Sequence, residues 1–236
     1  MITSKAILGC VSLLVVIMAG LLVSPSSASA STISINFRGD GDSTYQLAPS
    51  DVAGVVPASN WNDVTGTSGT GIALKNGAGS NSGASLAFDA GDNGVIAGPS
   101  GNDQKMMFSY IHEGASATVS SLSLADPYDV YVYFWDEDSK NLPEDITLTS
   151  SSYTKTFYVK EETTPYPGYV RAYNTVAPPV GTRDAGTYVV FTGVTGSSFT
   201  VDTGGEELNG IQITPEPATL SLLALGGLAL LRRRNK

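Results

Sequence analysis

Short runs in which hydrophobic and polar residues alternate recur along most of the chain, a pattern typical of half-buried β-strands. The run at 33–37 opens the series, and the run at 128–135 is the strongest because it is rich in aromatic and β-branched residues. Further strands are predicted at 71–74, 84–88, 117–122, 146–149, 153–159, 187–191, 198–201 and 210–213. One short helix is predicted near 103–110. The pattern therefore predicts an all-β fold, an antiparallel jelly-roll β-sandwich of about ten strands.

The first 30 residues have the features of a secretory signal peptide. Lys5 precedes an apolar run at 6–23, and Ala28-Ser29-Ala30 forms an A-x-A cleavage site. We expect cleavage before Ser31, with an uncleaved signal anchor as the alternative. The sandwich domain is then expected to span residues 31–213.

The last 23 residues, 214–236, carry a second apolar segment. Residues 218–231 are predicted to form a short apolar helix, which at 14 residues would span about 21 Å of a hydrocarbon core about 30 Å thick. Arg232, Arg233 and Arg234 follow it and should stay on the cytoplasmic side of the membrane. The segment is therefore too short for a secure permanent anchor, although a plain tail anchor is the alternative.

This tail resembles the PEP-CTERM sorting signal, with Pro215, Glu216 and Pro217 as the motif, the apolar run as the span and the arginines as the basic stop. The resemblance implies recognition and cleavage by exosortase, a transpeptidase-like membrane enzyme. It also implies release or transfer to the cell surface or to an extracellular polysaccharide matrix. Contact with the membrane would then be transient.

The charge of the body narrows the range of partners. Residues 31–214 contain 8 Lys and Arg against 21 Asp and Glu, a net charge of −13. Such a surface disfavours nucleic acid as a partner. The one cysteine, Cys10, lies in the signal peptide, so no disulfide is expected in the processed protein.

The body also resembles the galactose-binding-like β-sandwich modules of exported bacterial proteins. The resemblance rests on short sequence motifs at 35–37, 60–62, 106–110, 128–133, 188–194 and 209–213. The resemblance implies a jelly-roll that serves in carbohydrate or surface recognition, and it assigns no binding residue.

Four aromatic residues are candidates for binding a glycan: Trp61, Tyr166, Tyr169 and Tyr173. The three tyrosines lie in a proline-bounded segment at 165–173, where their rings could stack on sugars while Arg171 bonds hydroxyl groups. The alternative is that these rings fold back and cap the edge of the core.

Acidic residues at predicted strand ends are candidates for a calcium site, and calcium is the one cofactor that the sequence suggests. Asp40 and Asp42 follow the first strand, and Asp136 and Asp138 follow the aromatic strand. Calcium binds six to eight oxygen ligands of this kind. A solvated acidic loop is the alternative reading.

Signals for catalysis are few, and we expect no enzyme activity. His112 is the only histidine, and its neighbour Glu113 should point to the opposite face of a strand. The expected function is that of an exported surface or matrix protein that binds polysaccharide. The rivals are a glycan hydrolase that uses Asp136 or Glu137 and a purely structural surface protein.

Overall fold

The computed structural model describes residues 31–216 except 125, 136, 138–142, 162–164, 180–181 and 206. The predicted signal peptide, Pro217, the apolar segment at 218–231 and the arginines after it lie outside the described residues. No helix within the described part of the chain is long and apolar enough to cross a membrane.

The described residues form fourteen strands and one short α-helix. The first seven strands are β1 (Ile33–Phe37), β2 (Asn62–Val64), β3 (Ser68–Lys75), β4 (Asn81–Asp89), β5 (Asp92–Val95), β6 (Ser109–His112) and β7 (Ser116–Ser120). The others are β8 (Tyr128–Tyr133), β9 (Pro143–Ser150), β10 (Thr154–Glu161), β11 (Asp184–Gly186), β12 (Tyr188–Val194), β13 (Phe199–Asp202) and β14 (Gly210–Pro215). Helix α1 (Asn102–Met107) lies between β5 and β6.

Two sheets make up the body. One has the strand order β12-β8-β14-β1-β2, and the other has the order β11-β10-β9-β13-β7-β4-β3. Strands β5 and β6 form a separate antiparallel ribbon. The prediction of an all-β sandwich is confirmed, whereas the finer assignments to a jelly-roll and to a galactose-binding-like module stay predictions.

The structure corrects the predicted strand list in three ways. Strands β2, β5, β6 and β11 were not predicted, because each has only three or four residues. Two of the strand pairs, β1 with β2 and β10 with β11, are parallel, so the sandwich is not purely antiparallel. Strand β8 ends at Tyr133, two residues before the predicted end. The helix predicted near 103–110 is present as α1, but it ends at Met107, and Ser109 and Tyr110 belong to β6.

The space between the two large sheets is filled by the main hydrophobic core. Alternate residues of each strand point into it, as the period of two requires. The larger sheet contributes Leu86, Val119, Leu148 and Val201, and the five-stranded sheet contributes Ile35, Val130, Val132, Phe191 and Ile211, all fully buried. Burial of these side chains is the main favourable contribution to folding.

The opposite face of the five-stranded sheet is also largely covered. A second hydrophobic cluster lies there, built on that face from the sheet, the segment 45–61 and α1. Its buried members are Tyr45, Leu47, Ala53, Trp61, Ile96, Met106, Met107, Phe108, Tyr133 and Trp135. The sheet residues beneath it include the buried polar side chains Ser34, Asn36 and Gln212. Buried polar groups need hydrogen-bond partners, and Gln212 finds one of its partners, the Val56 carbonyl, in the segment that covers the sheet.

Candidate functional site

The side chain of Gln212 links the middle of the five-stranded sheet to the segment that covers it. Its Nε2 donates to Ser34 Oγ at 3.1 Å and to the Val56 carbonyl oxygen at 2.9 Å. Its Oε1 accepts from the hydroxyl of Tyr133, and that hydroxyl accepts from the Val55 amide at 2.9 Å. The loop from Ala53 to Ala58 is closed by two backbone hydrogen bonds of 3.1 Å. It is therefore fixed on the sheet by paired polar groups.

Gly54 extends this network to the surface. Its amide lies 3.1 Å from Asp103 Oδ1 and 3.0 Å from the Tyr169 hydroxyl. The Tyr169 hydroxyl in turn donates to Asp103 Oδ1 at 2.8 Å. Asp103 belongs to the first turn of α1. The helix, the covering loop and the tyrosine segment thus meet at one carboxylate.

The segment around Arg171 runs along the edge of the same sheet. Arg171 forms a parallel bridge with Tyr188 of β12, and the Ala172 amide donates to the Tyr188 carbonyl at 3.0 Å. The amide of Thr187 donates to the Val170 carbonyl at 2.8 Å. The segment also passes close to Gly186 at the end of β11, since a Cβ added to Gly186 would lie only 2.9 Å from Ala172 Cβ. Backbone pairing therefore holds Arg171 beside the sheet.

The four aromatic candidates lie in different environments. Trp61 is 6% exposed, its Nε1 donates to the Ala58 carbonyl at 2.9 Å, and its ring packs 6.4 Å from Tyr133. Tyr166 is half-buried and packs edge-on against Phe108 and Trp135. Tyr169 and Tyr166 pack against the second hydrophobic cluster, as the alternative reading expects. Tyr173 is 64% exposed. That these rings bind a glycan stays a prediction.

Tyr173 belongs to a surface that sequence reasoning did not assemble. The guanidinium of Arg171 lies 4.7 Å from the centre of the Tyr173 ring. On the adjoining sheet, Tyr131 of β8 and Tyr188 of β12 are half-buried, with ring centres 6.5 Å apart and planes inclined by 24°. We call Tyr131, Tyr188, Arg171 and Tyr173 the Tyr–Arg face. It combines the exposed ring of Tyr173 and two half-buried rings, which also pack against the second hydrophobic cluster, with one cationic group.

A second arginine–tyrosine pair lies on a neighbouring segment. The guanidinium of Arg183 is 5.5 Å from the Tyr158 ring, and it forms an ion pair of 2.5 Å with Asp145. The Tyr158 amide donates to the Asn174 carbonyl at 2.9 Å, one residue after Tyr173. Aromatic and cationic side chains therefore lie both beside β12 of the five-stranded sheet and on β10 of the seven-stranded sheet.

Burial governs the ionisation of these groups. It raises the pKa of Tyr131 and of Tyr188, and the nearby Arg171 charge offsets part of this increase. Burial also raises the pKa of Asp129, which lies two residues from Tyr131, against the lowering effect of a 3.1 Å hydrogen bond from the Gly193 amide. Because burial disfavours the charged form, both phenols stay neutral and can donate hydrogen bonds at neutral pH.

Of the acidic candidates for a calcium site, Asp40 and Asp42 lie in the described part of the chain, and the calcium site stays a prediction. Asp40 Oδ1 accepts from the Asp42 amide at 2.8 Å, and Asp42 Oδ1 accepts from the Thr44 amide at 2.8 Å. Both carboxylates therefore stabilise local turns. No cluster of three or more His, Cys, Asp or Glu that could hold a metal occurs among the described residues. Asp136 and Asp138 lie outside the described residues.

The candidates for catalysis are also placed apart. His112 ends β6, and its Nε2 lies 3.8 Å from Asp92 Oδ2 on the paired strand β5. Glu137 is exposed after the end of β8. Neither residue belongs to the Tyr–Arg face.

The sorting motif begins within the sheet. Pro215 is the last residue of β14 and lies opposite Tyr128 of β8. The Glu216 amide donates to the Pro127 carbonyl at 3.4 Å. Pro217 and the basic stop lie outside the described residues.

Comparison with known proteins identifies this terminus. Residues 214–235 match the PEP-CTERM protein-sorting motif. No curated protein matches the chain. The chain is therefore an exported protein that is sorted at the membrane through exosortase processing.

Replacement of Gly54 by alanine should destabilise the fold. Gly54 has φ +91°, and an added Cβ would lie 2.4 Å from Gln212 Oε1. Gly66 has φ +85° with open space around it, so Gly66→Ala isolates the backbone cost, about 1 kcal/mol. We expect Gly54→Ala to lower the free energy of unfolding by about 3 kcal/mol, because the added Cβ also displaces the buried side-chain amide of Gln212 from its hydrogen-bond partners. Denaturant unfolding of both variants measures this difference, and equal losses would contradict the network.

The protein should lose stability in alkaline solution. Burial raises the pKa of Tyr133, Tyr166 and Tyr169 above the usual 10.0, and raises the pKa of Tyr128 to about 12. A raised folded-state pKa means that the stabilisation is complete below the unfolded pKa and is lost as pH rises through the folded pKa. The free energy of unfolding should therefore fall as pH rises above 10.0. Unfolding curves at successive pH values, with tyrosinate absorbance recorded in parallel, measure it; native tyrosines that all ionise at 10.0 would contradict the burial.

Proposed function

We propose that the sorted protein is displayed at the cell surface or in the extracellular matrix, where its body binds polysaccharide without cleaving it. The sorting signal supports export and processing, and it leaves the task of the body open. The single observation that supports polysaccharide binding is the Tyr–Arg face, which places one exposed ring and two half-buried rings near the guanidinium of Arg171.

The chemistry of this face suits a sugar chain. The flat apolar side of a pyranose packs well on an aromatic ring, and phenol and guanidinium groups can bond its hydroxyls. Tyr131, Tyr188 and Tyr173 supply the rings, and Arg171 supplies donors between them. Backbone pairing of Arg171 with Tyr188 fixes the main chain from which the Arg171 side chain extends, so less backbone freedom is lost when a ligand binds.

The charge of the body indicates the class of glycan. A net charge of −13 over residues 31–214 repels polyanions at long range. The charge of Arg171 interacts with the half-buried Asp129 carboxylate, whose pKa it lowers against the effect of burial, so the positive charge of the face is partly compensated. We therefore propose a neutral, hydroxyl-rich polysaccharide. The galactose-binding-like resemblance of the body is consistent with this proposal.

Binding should depend on the Tyr173 ring. In affinity electrophoresis with neutral and anionic polysaccharides, including extracellular polysaccharide from the producing cells, we expect Tyr173→Ala to weaken binding about tenfold, equal to about 1.4 kcal/mol. Tyr173→Phe should retain most of the affinity because the ring remains. Val176→Ala, at a neighbouring side chain that is 76% exposed, should bind normally.

Two further measurements separate this proposal from its rivals. Arg171→Gln should weaken binding of the neutral polymer, whereas preferential binding of the anionic polymers would contradict the proposed glycan class. Assay of each polymer for released reducing ends tests the hydrolase alternative, in which Asp136 or Glu137 acts. Absence of binding to every polymer would overturn the proposal and favour the purely structural alternative.

A further inference from the structure

The described fold leaves no spacer between the body and the sorting motif. Strand β14 is an inner strand, paired on one side with β8 and on the other with β1. Ile213 is fully buried and Thr214 nearly so. The matched motif starts at residue 214, and β14 ends at Pro215. The last two residues of the strand are thus the first two of the match.

These buried residues cannot be withdrawn cheaply to create a spacer. Removing Ile213 from the core would expose a side chain whose burial contributes about 1.5–3 kcal/mol. It would also break the pairing of β14 with both neighbours. Processing of the folded protein therefore starts with the motif close to the sandwich.

The beginning of the body lies at the same end of the sandwich. Ile33 of β1 is opposite Ile213 of β14 in an antiparallel pair. Thr32, one residue earlier, is buried, and its carbonyl accepts from the Gly77 amide at 2.7 Å. The chain therefore enters and leaves the body on adjacent strands at one end.

This end has an ordered surface, which we call the sorting end and define as Asp126, Pro127 and the turn 195–198. The Tyr128 hydroxyl donates to the Gly196 carbonyl at 2.9 Å, and the Gly196 amide lies 3.3 Å from Asp126 Oδ1. The Leu122 amide donates to the Ser197 carbonyl at 2.9 Å. The turn and the loop before β8 are therefore tied together beside Glu216.

We propose that exosortase, the sorting enzyme, contacts the sorting end of the folded body while it processes the motif. An extended chain covers at most about 3.6 Å per residue, so the two residues that follow Pro215 in the motif can reach no more than about 7 Å beyond it. An enzyme that holds the motif in its active site must therefore approach the turn 195–198. Because the enzyme is embedded in the membrane, the sorting end faces the membrane during processing.

A charged, bulky residue on the sorting end tests this contact. Ser197 is exposed in the turn, and Ser68 is exposed at the other end of the sandwich, opposite Asp89 of β4. The full-length chain carrying Ser197→Arg or Ser68→Arg is expressed in cells with the sorting enzyme. The rate of conversion to the processed form is followed by pulse-chase immunoblotting. Unfolding of each purified variant confirms that the fold is retained.

A linker between the body and the motif shows whether slower processing of Ser197→Arg results from hindered docking. Six Gly and Ser residues placed between Ile213 and Thr214 leave the matched motif intact and add up to about 20 Å of extended chain. We expect Ser197→Arg to slow processing several-fold, Ser68→Arg to leave it unchanged, and the linker to restore the rate of Ser197→Arg.

Other outcomes would overturn the proposal. Normal processing of Ser197→Arg would show that the enzyme does not approach this surface. Equal slowing by Ser68→Arg, or slowing that the linker fails to relieve, would show that proximity to the motif is not the cause. Loss of processing for a chain altered at Pro215 and Glu216 serves as the reference for the sorting assignment itself, so failure of that assignment is recognised separately.

Discussion

Burial of the Gln212 side chain is the constraint on which the loop 53–58 and the second hydrophobic cluster depend. The amide lies in the middle strand of a sheet that is covered on both faces, and an unpaired buried amide group costs about 1–3 kcal/mol. Ser34, Tyr133 and the backbone of Val56 satisfy it together. The loop 53–58 is therefore part of the folded core. Through Gly54 the same network fixes Tyr169 and α1, and thus the border of the Tyr–Arg face.

Alternation along the chain predicts most of this fold because the period of two is set by burial between two sheets. Residues 128–133 are an example, since Val130 and Val132 are fully buried in the main core. The other face of the same strand is harder to predict. Tyr133 is buried under the loop 53–58, whereas Tyr131, two residues away, is half-buried. Local sequence does not encode which half a distant loop covers, so Tyr131 and Tyr188 were missed as candidate site residues.

For the sorting motif, too, local sequence predicts one part and tertiary contacts decide the other. The letters of Pro215, Glu216 and Pro217 suffice to predict the signal, and the match at 214–235 confirms it. The predicted strand, however, stops at 213, because Thr-Pro breaks the apolar alternation. Pairing with Tyr128 extends the strand to Pro215. This tertiary pairing makes the distance between body and motif so small, and it links the fold of the body to its handling by the membrane enzyme.

Amide hydrogen exchange at Val55 and Val56 measures directly whether the loop 53–58 belongs to the folded core. These amides donate to Tyr133 and Gln212 although they lie in a surface loop. If the loop 53–58 belongs to the core, both amides exchange as slowly as those of β14, by opening of the whole domain. Exchange at the rate of an unprotected loop, while β14 stays protected, would contradict the claim that Gln212 ties the covering segment to the sheet.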